Sequence, residues 1–466
     1  MAKTDLTQLE LTDVARRLAK KEVSPVELTK AVLRRIEKTD KKLSSYALVT
    51  ADLALKQAKK AEAELAKGRV KGPLHGVPIA VKDLCCTKGI VTAAGTKVHG
   101  KFKPKLDSTV VARFAAAGAV LLGKLQMTEG AFAEHHPDVK VPKNPWGADY
   151  WCGASSSGSG VATAAGLCFG SIGSDTGGSI RFPSAANGVT GLKPTWGRVS
   201  RFGVFDLAPS LDHVGPMARS AADCAALLGA IAGADKNDPT AAQVPVPNYL
   251  AGLERGIRGL KIGIDDRYNA KGVDTATVAM TKRAAHMLSE IGAELVDVRF
   301  PDVDRVVREW LPHCAVETAF AHKDTYPKRK GDYGPALAGL IDAGREVSGL
   351  DYQGILLNRA EFSGRVQAVF EDCDLILMPA MPYAAPTLEM MATLGEDPDA
   401  INTLLRFTAP IDYSGNPALT MPGGMTETGV PIGFQLVGRH FEEDTVLRAG
   451  AAFQRATDWH KARPKL

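Results

Sequence analysis

The fold of this 466-residue chain depends on the stretch Gly173-Ser-Asp-Thr-Gly-Gly-Ser-Ile-Arg-Phe-Pro183. A second run rich in glycine and serine precedes it and reads Gly153-Ala-Ser-Ser-Ser-Gly-Ser-Gly160. Glycine lets a backbone approach a ligand closely and adopt positive φ. Segment 153–180 has neither the period of an amphipathic helix nor the alternation of a strand, so we expect neither of these regular elements in it.

Short apolar runs and helical patterns alternate on both sides of this segment. Residues 77–81 predict a strand that ends at Lys82, and Ser24-Pro25 predicts the start of a helix that continues to about residue 39. Strands and helices that alternate along a chain are typical of an α/β layered fold. We also predict helices at 11–20, 53–67, 109–117 and 275–291, and strands at 120–122, 260–264, 294–298, 375–378 and 432–437.

Composition excludes several classes of function. The formal charge of +5 and the aromatic content of 6% do not indicate a basic, aromatic-rich nucleic-acid surface. No apolar run is strong enough for a membrane span, and none of the ten histidines shows metal-site spacing. Gly118-Ala-Val-Leu-Leu-Gly-Lys124 has the spacing of a phosphate loop but lacks the following Ser or Thr. We therefore expect no metal, no cofactor, no nucleic-acid partner and no membrane association.

The seven cysteines indicate the compartment. Their number is odd, no pair has zinc-ligand spacing, and the first residues lack the apolar run of a signal peptide. Free thiols in a reducing, cytoplasmic environment follow from these observations.

The residues Thr176-Gly-Gly-Ser179 are the strongest candidates for chemistry. Successive backbone N–H groups in such a sequence can point the same way and form an anion-binding nest. A nest beside a serine suits acyl transfer, because the tetrahedral intermediate develops an oxyanion. The serine also needs a base. A lysine with an unperturbed pKa is neutral in only about one molecule in two thousand at pH 7, but burial lowers its pKa.

Each of these segments also has an ordinary structural explanation. A Ser/Gly run is commonly a flexible linker, and Gly-Gly-Ser is a common turn. A lysine at the end of a strand commonly reaches out to solvent. The residues alone therefore indicate an oxyanion nest beside a serine and no more.

Together, the segments resemble the amidase signature family of serine hydrolases. The Gly/Ser-rich hallmark of that family corresponds to residues 153–184. Most of the chain shares the resemblance, and 240–400 shares it least. Further family-like phrases are Pro73-Leu-His-Gly-Val-Pro78, Gly191-Leu-Lys-Pro194, Ser210-Leu-Asp-His-Val-Gly-Pro216, Gly415-Asn-Pro-Ala-Leu-Thr-Met-Pro-Gly423 and Pro431-Ile-Gly-Phe-Gln-Leu-Val-Gly438.

The resemblance implies an α/β fold with one large domain, 1–466. A central mixed, twisted β-sheet would be covered by helices on both faces. Within the domain we expect an N-terminal helical segment (1–70), a catalytic core (72–232), a variable substrate-loop region (250–410) and a C-terminal return to the core (411–466).

The resemblance also implies a catalytic triad. Ser179 would be the nucleophile, Ser155 the bridging serine and Lys82 the base. The peptide bond between Ala154 and Ser155 would be cis. The family more often has glycine at the positions of Ala154 and Ser157, so we expect altered detail in the pocket and retained catalysis.

Other site residues follow from the same resemblance. The amides of Thr176, Gly177, Gly178 and Ser179 would form the oxyanion hole. Asp175 and Arg181 would support the loop structurally. Substrate would contact Met127, Gly153 and Ala154.

The implied function is hydrolysis of amide-type C–N bonds through an acyl-enzyme on Ser179. Small amides, aryl amides, anilides and carbamates are the expected substrates, and the chain would be a monomer or homodimer. Trp146, Trp151, Trp196 and Phe205 could form an apolar pocket for aryl groups or could be plain core residues. Two alternatives remain. One is the A-type component of an amidotransferase, which acts on glutamine and tRNA with partner subunits, and the other is a non-catalytic scaffold with the same fold.

Overall fold

The computed structural model describes residues 5–394 and 397–466 of the chain. One sheet of eleven strands runs through the described residues, in the order β1-β3-β2-β4-β6-β5-β10-β11-β9-β7-β8. The strands are β1 (Tyr46–Val49), β2 (Pro78–Lys82), β3 (Val120–Leu125), β4 (Gly170–Asp175), β5 (Thr190–Lys193), β6 (His213–Ala218), β7 (Lys261–Ile264), β8 (Glu294–Asp297), β9 (Leu375–Pro379), β10 (Ala418–Met425) and β11 (Pro431–Gly438).

Helices flank this sheet. They are α1 (Leu11–Ala19), α2 (Pro25–Leu43), α3 (Ala51–Ala66), α4 (Thr109–Ala116), α5 (Ser157–Ala164), α6 (Arg181–Asn187), α7 (Ala221–Ile231), α8 (Asp266–Ala270), α9 (Thr275–Glu290), α10 (Asp304–Ala321), α11 (Pro335–Glu346), α12 (Gly349–Val369), α13 (Leu388–Leu394), α14 (Pro398–Leu405), α15 (Ala409–Ser414) and α16 (Glu443–Ala456).

The sheet is mixed, as expected for the predicted fold class. Strand β2 pairs in parallel with both β3 and β4, and β7 pairs in parallel with β8 and β9. All pairs from β4 through β6, β5, β10 and β11 to β9 are antiparallel. The carboxyl ends of β2, β3 and β4 therefore lie at one edge of the sheet, where Lys82, Leu125 and Asp175 end their strands.

The predicted elements outside the Gly/Ser-rich segment are confirmed, with boundaries that differ by a few residues. Ser24 caps α2, and its hydroxyl accepts hydrogen bonds from the amides of Val26 and Glu27. Strand β3 is longer than predicted because it continues through Gly123 to Leu125.

The prediction for segment 153–180 is wrong, since the segment contains helix α5 and strand β4. Every residue of α5 is buried, so no polar face exists to produce an amphipathic period. Its glycines permit the close packing. A Cβ on Gly158 would overlap the Ser45 carbonyl, and one on Gly160 would lie 2.9 Å from the Pro183 carbonyl oxygen.

The described residues contain no helix long and apolar enough to cross a membrane. The division into segments 1–70, 72–232, 250–410 and 411–466 stays a prediction, and residues 1–4, 395 and 396 of those segments lie outside the described residues.

Candidate active site

Lys82 is the centre of a cluster of serine hydroxyls. The lysine ends β2 and is completely buried. Its Nζ lies 2.6 Å from Ser155 Oγ, 2.9 Å from Ser156 Oγ and 2.8 Å from Ser174 Oγ. Three acceptor oxygens match the three N–H bonds of an ammonium group. A neutral amine would keep two donors and present its lone pair to the third oxygen.

The surroundings of Lys82 favour its neutral form. Burial lowers the pKa of Lys82 from its ordinary value of 10.5 to about 7, against the opposing charges of Asp175 and Asp212. Both forms of the amine are therefore well populated near neutral pH.

Ser155 lies at an unusual point of the backbone. The peptide bond between Ala154 and Ser155 is cis, as the sequence resemblance predicted. The carbonyl of Ser155 accepts a hydrogen bond of 3.2 Å from the amide of Thr128. The adjoining Met127 is completely buried, and Gly153, with φ of 82°, packs against the backbone of Pro183. Met127, Gly153 and Ala154 thus lie in the chain segments that surround Ser155.

Ser179 lies on the loop that follows β4, and we call residues 176–179 the oxyanion loop. The amides of Thr176, Gly177 and Ser179 have no hydrogen-bond acceptor in the described part of the chain. Gly178 differs, because its amide donates to the Asp175 carboxylate at 2.7 Å. The prediction of four free amides therefore needs correction: three remain available to an anion.

Asp175 and Arg181, which were predicted to support this loop, contact it on its buried side. The Asp175 carboxylate accepts hydrogen bonds from the amides of Gly178, Ile180 and Arg181, and from the Arg181 guanidinium at 2.9 Å. Burial raises the pKa of Asp175, but the charge and hydrogen bonds of Arg181 outweigh burial and keep this pKa well below its ordinary value. Arg181 also donates to Asp412 at 2.7 Å. A completely buried ionic network thus fixes the turn after β4.

Sequence reasoning missed several residues of the site. Ser156 and Ser174 contact Lys82, and they lie within the Gly/Ser-rich segment without any distinguishing pattern. Trp310 donates from Nε1 to the Thr176 carbonyl at 2.8 Å, and Thr408 donates from Oγ1 to the Gly177 carbonyl at 2.6 Å. No local signal marks these two, since both lie far along the chain from the oxyanion loop.

The four aromatic residues considered for an aryl pocket contact different neighbours. Trp146 donates to the Asn187 carbonyl at 2.8 Å, and the ring of Trp151 lies 5.8 Å from that of Phe182. Arg201 lies over the Trp196 ring, and Phe205 packs on His99 and Phe102. Of these four, Trp146 and Trp151 contact α6, the helix that follows Ser179.

Lys124 is buried inside a strand, which does not fit a residue of a phosphate-binding loop. This residue lies within β3, is completely buried and has its Nζ 3.5 Å from the Asp83 carboxylate. Among the described residues, no group of three or more His, Cys, Asp or Glu side chains could hold a metal ion.

Comparison with known proteins gives a consistent result. A family model described as Amidase matches residues 27–447. The chain is 50% identical over 459 residues to AmiD of Mycobacterium tuberculosis, whose name assigns it to the amidases, with 98% of this chain and 96% of AmiD covered. It is 37% identical over 488 residues to the A-type component of the glutamyl-tRNA(Gln) amidotransferase of Chloroflexus aurantiacus, with 99% of each chain covered.

A solved structure with a bound substrate is also similar. The 6-aminohexanoate cyclic dimer hydrolase superimposes with a TM-score of 0.89 at 26% identity, over 98% of this chain and 99% of the hydrolase.

Proposed function

The chain belongs to the amidase signature family and hydrolyses amide bonds, and we propose that Ser179 is the nucleophile, with Ser155 and Lys82 carrying its proton. The burial of Lys82 against the Ser155 hydroxyl, with a pKa of about 7, is the observation that carries this proposal. A buried amine with this pKa can accept a proton at neutral pH, whereas an exposed lysine cannot.

The acylation half-reaction proceeds in two steps. Ser179 Oγ attacks the substrate carbonyl carbon while its proton passes to Ser155 and the Ser155 proton passes to Lys82 Nζ. The tetrahedral intermediate then expels the amine, whose nitrogen receives the proton returned through Ser155. The C–N bond breaks and an ester to Ser179 remains.

Deacylation repeats the relay with water. Water attacks the ester carbonyl, its proton moves through Ser155 to Lys82, and the Ser179 alkoxide leaves with the returned proton. A carboxylic acid is released from an amide. An aryl carbamate loses its phenol in place of an amine, by cleavage of the C–O bond, so its carbamoyl-enzyme releases a carbamic acid. Among the described hydrogen bonds none reaches the Ser179 hydroxyl, so the contact between Ser179 and Ser155 belongs to the reacting complex in this mechanism.

Ser156 and Ser174 keep the lysine in position when it is neutral. The Ser156 hydroxyl donates to the Ser174 carbonyl at 3.2 Å and accepts from the Ser174 amide at 3.2 Å, which leaves one lone pair for the Lys82 amine. A neutral amine retains two N–H bonds, one each for Ser156 and Ser174, and so directs its lone pair to Ser155. The amides of Thr176, Gly177 and Ser179 are the proposed oxyanion donors.

The proposed substrates are small amides, including aryl amides and anilides, and carbamates, with Met127, Gly153 and Ala154 as contacts. Support comes from the aromatic rings that cover the glycine pair of the oxyanion loop. Trp310 packs against Gly177 and Phe182 against Gly178. The proposed location is the cytoplasm, as a monomer or homodimer, and the seven buried free thiols support a reducing compartment.

The amidotransferase component is the second candidate, favoured by relatives such as the 37% identical protein of Chloroflexus aurantiacus. The two candidates differ in what the purified chain does alone. A self-sufficient amidase turns over anilides, carbamates or aliphatic amides without a partner, and a fluorophosphonate probe labels its nucleophile. An amidotransferase component shows no such turnover until its partner subunits are added.

A matched pair of serine variants tests the catalytic assignment. We expect Ser179→Ala to abolish labelling and turnover while keeping the circular dichroism spectrum of the wild type. Ser159→Ala is the control, because Ser159 is buried in the same segment but donates to the Ile172 carbonyl at 3.0 Å. Undiminished turnover by Ser179→Ala would overturn the assignment. A folded wild type that stays unlabelled and inactive even with amidotransferase partner subunits added would favour the non-catalytic scaffold.

A further inference from the structure

Trp310 connects the region where the family resemblance is weakest to the catalytic loop. It lies on α10, where it is 7% exposed, and its indole N–H donates to the Thr176 carbonyl. Its ring also covers Gly177, since an added Cβ on Gly177 would overlap Trp310 Cζ2 and would lie 2.6 Å from Cε2. Trp310 therefore contacts the oxyanion loop both by a hydrogen bond and by close packing.

The geometry of the peptide bond gives this contact a specific consequence. The Thr176 carbonyl and the Gly177 N–H belong to one planar, trans peptide group and point in opposite directions. A donor that fixes the carbonyl therefore also fixes the direction of the N–H. In this loop the Gly177 N–H is one of the three amides available to an oxyanion.

The neighbouring peptide group provides a contrast. Thr408 holds the Gly177 carbonyl at 2.6 Å, and the N–H of that second peptide group belongs to Gly178, which donates to Asp175. The second peptide group is thus held at both ends by the protein. Within the described residues, the first has only Trp310 at its carbonyl end, and its N–H end remains for the substrate.

We propose that Trp310 is a positioning residue that aims the Gly177 amide at the developing oxyanion, an inference that rests on the proposed function of Ser179. The indole bond keeps the Thr176–Gly177 peptide plane at one angle, and the ring prevents the loop from relaxing towards α10. Because α10 lies in the predicted substrate-loop region, a change in this helix alters the rate of the chemical step through the same contact.

Trp310→Phe tests the hydrogen bond, because it removes the indole N–H and keeps an aromatic ring. Trp146→Phe is the matched control, since Trp146 makes an indole-to-carbonyl hydrogen bond of the same 2.8 Å length to Asn187, outside the oxyanion loop. We expect kcat of Trp310→Phe to fall about 10-fold with KM changed less than about two-fold, as for an interaction used mainly in the transition state.

A trifluoromethyl ketone provides a readout that a purely structural role would not change. Its adduct with a serine is a tetrahedral oxyanion, so its affinity should fall by the same factor as kcat in Trp310→Phe and stay unchanged in Trp146→Phe. Rates are normalised to active sites titrated with a fluorophosphonate, which removes any contribution from misfolded protein. Equal kcat and ketone affinity in wild type and Trp310→Phe would overturn the inference.

The packing contact has its own test. The φ of Gly177 lies outside the left-handed region, so the overlap with Trp310 is the obstacle to a side chain there. Gly177→Ala should therefore reduce kcat strongly in the wild type and much less when introduced into Trp310→Ala. An equal loss in both backgrounds would contradict the packing argument. A wild type that is active but lacks any label at Ser179 would instead refute the proposed function.

Discussion

The pH dependence of activity follows directly from the burial of Lys82. Its pKa falls from 10.5 to about 7 because the amine is removed from water. At about 1.4 kcal/mol for each pH unit, this change amounts to roughly 5 kcal/mol in favour of the neutral amine. About half of the molecules then carry a neutral Lys82 at pH 7, whereas well under about one in a thousand would do so for an exposed lysine.

If neutral Lys82 is the base, kcat/KM must follow the fraction of neutral amine. We expect kcat/KM to rise with pH, about 10-fold for each unit below pH 6, with an apparent pKa near 7 and a plateau above about pH 8. Initial rates on a p-nitroanilide at concentrations well below KM measure this ratio, because the released p-nitroaniline does not titrate in that range.

Lys193 provides the control for assigning this titration. It is also completely buried with a pKa lowered to about 7, but its Nζ donates to the Pro194 carbonyl and contacts no serine hydroxyl among the described residues. In Lys193→Met, kcat/KM should rise with pH at the same apparent pKa as in the wild type. The role of Lys82 would be refuted if the rise of kcat/KM with pH disappeared in Lys193→Met. A wild-type profile that is flat, or that falls from pH 5 to 8, would refute it as well.

Further predictions concern stability, measured by urea unfolding. Gly158→Ala should lower the free energy of unfolding by about 1–3 kcal/mol, because the added methyl group overlaps buried backbone. Gly364→Ala lies on an exposed helix face with no neighbour within 4 Å of an added Cβ, so it should raise the free energy of unfolding by up to about 1 kcal/mol. A change of the same sign in both variants would contradict this. Asp175→Asn should cost about 3 kcal/mol because it removes one of the two buried carboxylates that pair with Arg181, and a loss below about 1 kcal/mol would refute the importance of the pair. Because the pKa of Lys82 is lowered in the folded state, the folded protein binds the lysine proton less tightly than the unfolded chain does. The free energy of unfolding of the wild type should therefore rise by about 3 kcal/mol more than that of Lys82→Met between pH 7 and pH 10. An equal rise in both proteins would contradict the lowered pKa.

Several strands of the sheet could be predicted from sequence because they are short, apolar and bounded by turns. Residues 77–81 and 432–437 are examples, and they correspond to β2 and β11. Helix α5 could not be predicted in this way. Its Ser, Gly and Ala residues are all buried, so the alternation between apolar and polar faces is absent.

The residues of the site likewise fall into those that could be predicted from sequence and those that could not. The residues themselves indicated an anion nest near Ser179, and resemblance to a family added Lys82 and Ser155. Trp310 and Thr408 were out of reach of both approaches. They contact the oxyanion loop across 134 and 231 residues of sequence, and such contacts depend on how distant elements pack.

The identity of the nucleophile is tested most directly by trapping the acyl-enzyme. A slowly hydrolysed aryl carbamate should leave its carbamoyl group on the chain after an acid quench. Trypsin cleaves after Lys143 and Arg181, so one peptide contains both Ser155 and Ser179. Fragment ions in tandem mass spectrometry separate them, because the fragment Ser179–Arg181 contains Ser179 alone. We predict the added mass on this fragment, and a carbamoyl group on Ser155 or elsewhere would contradict Ser179 as the nucleophile.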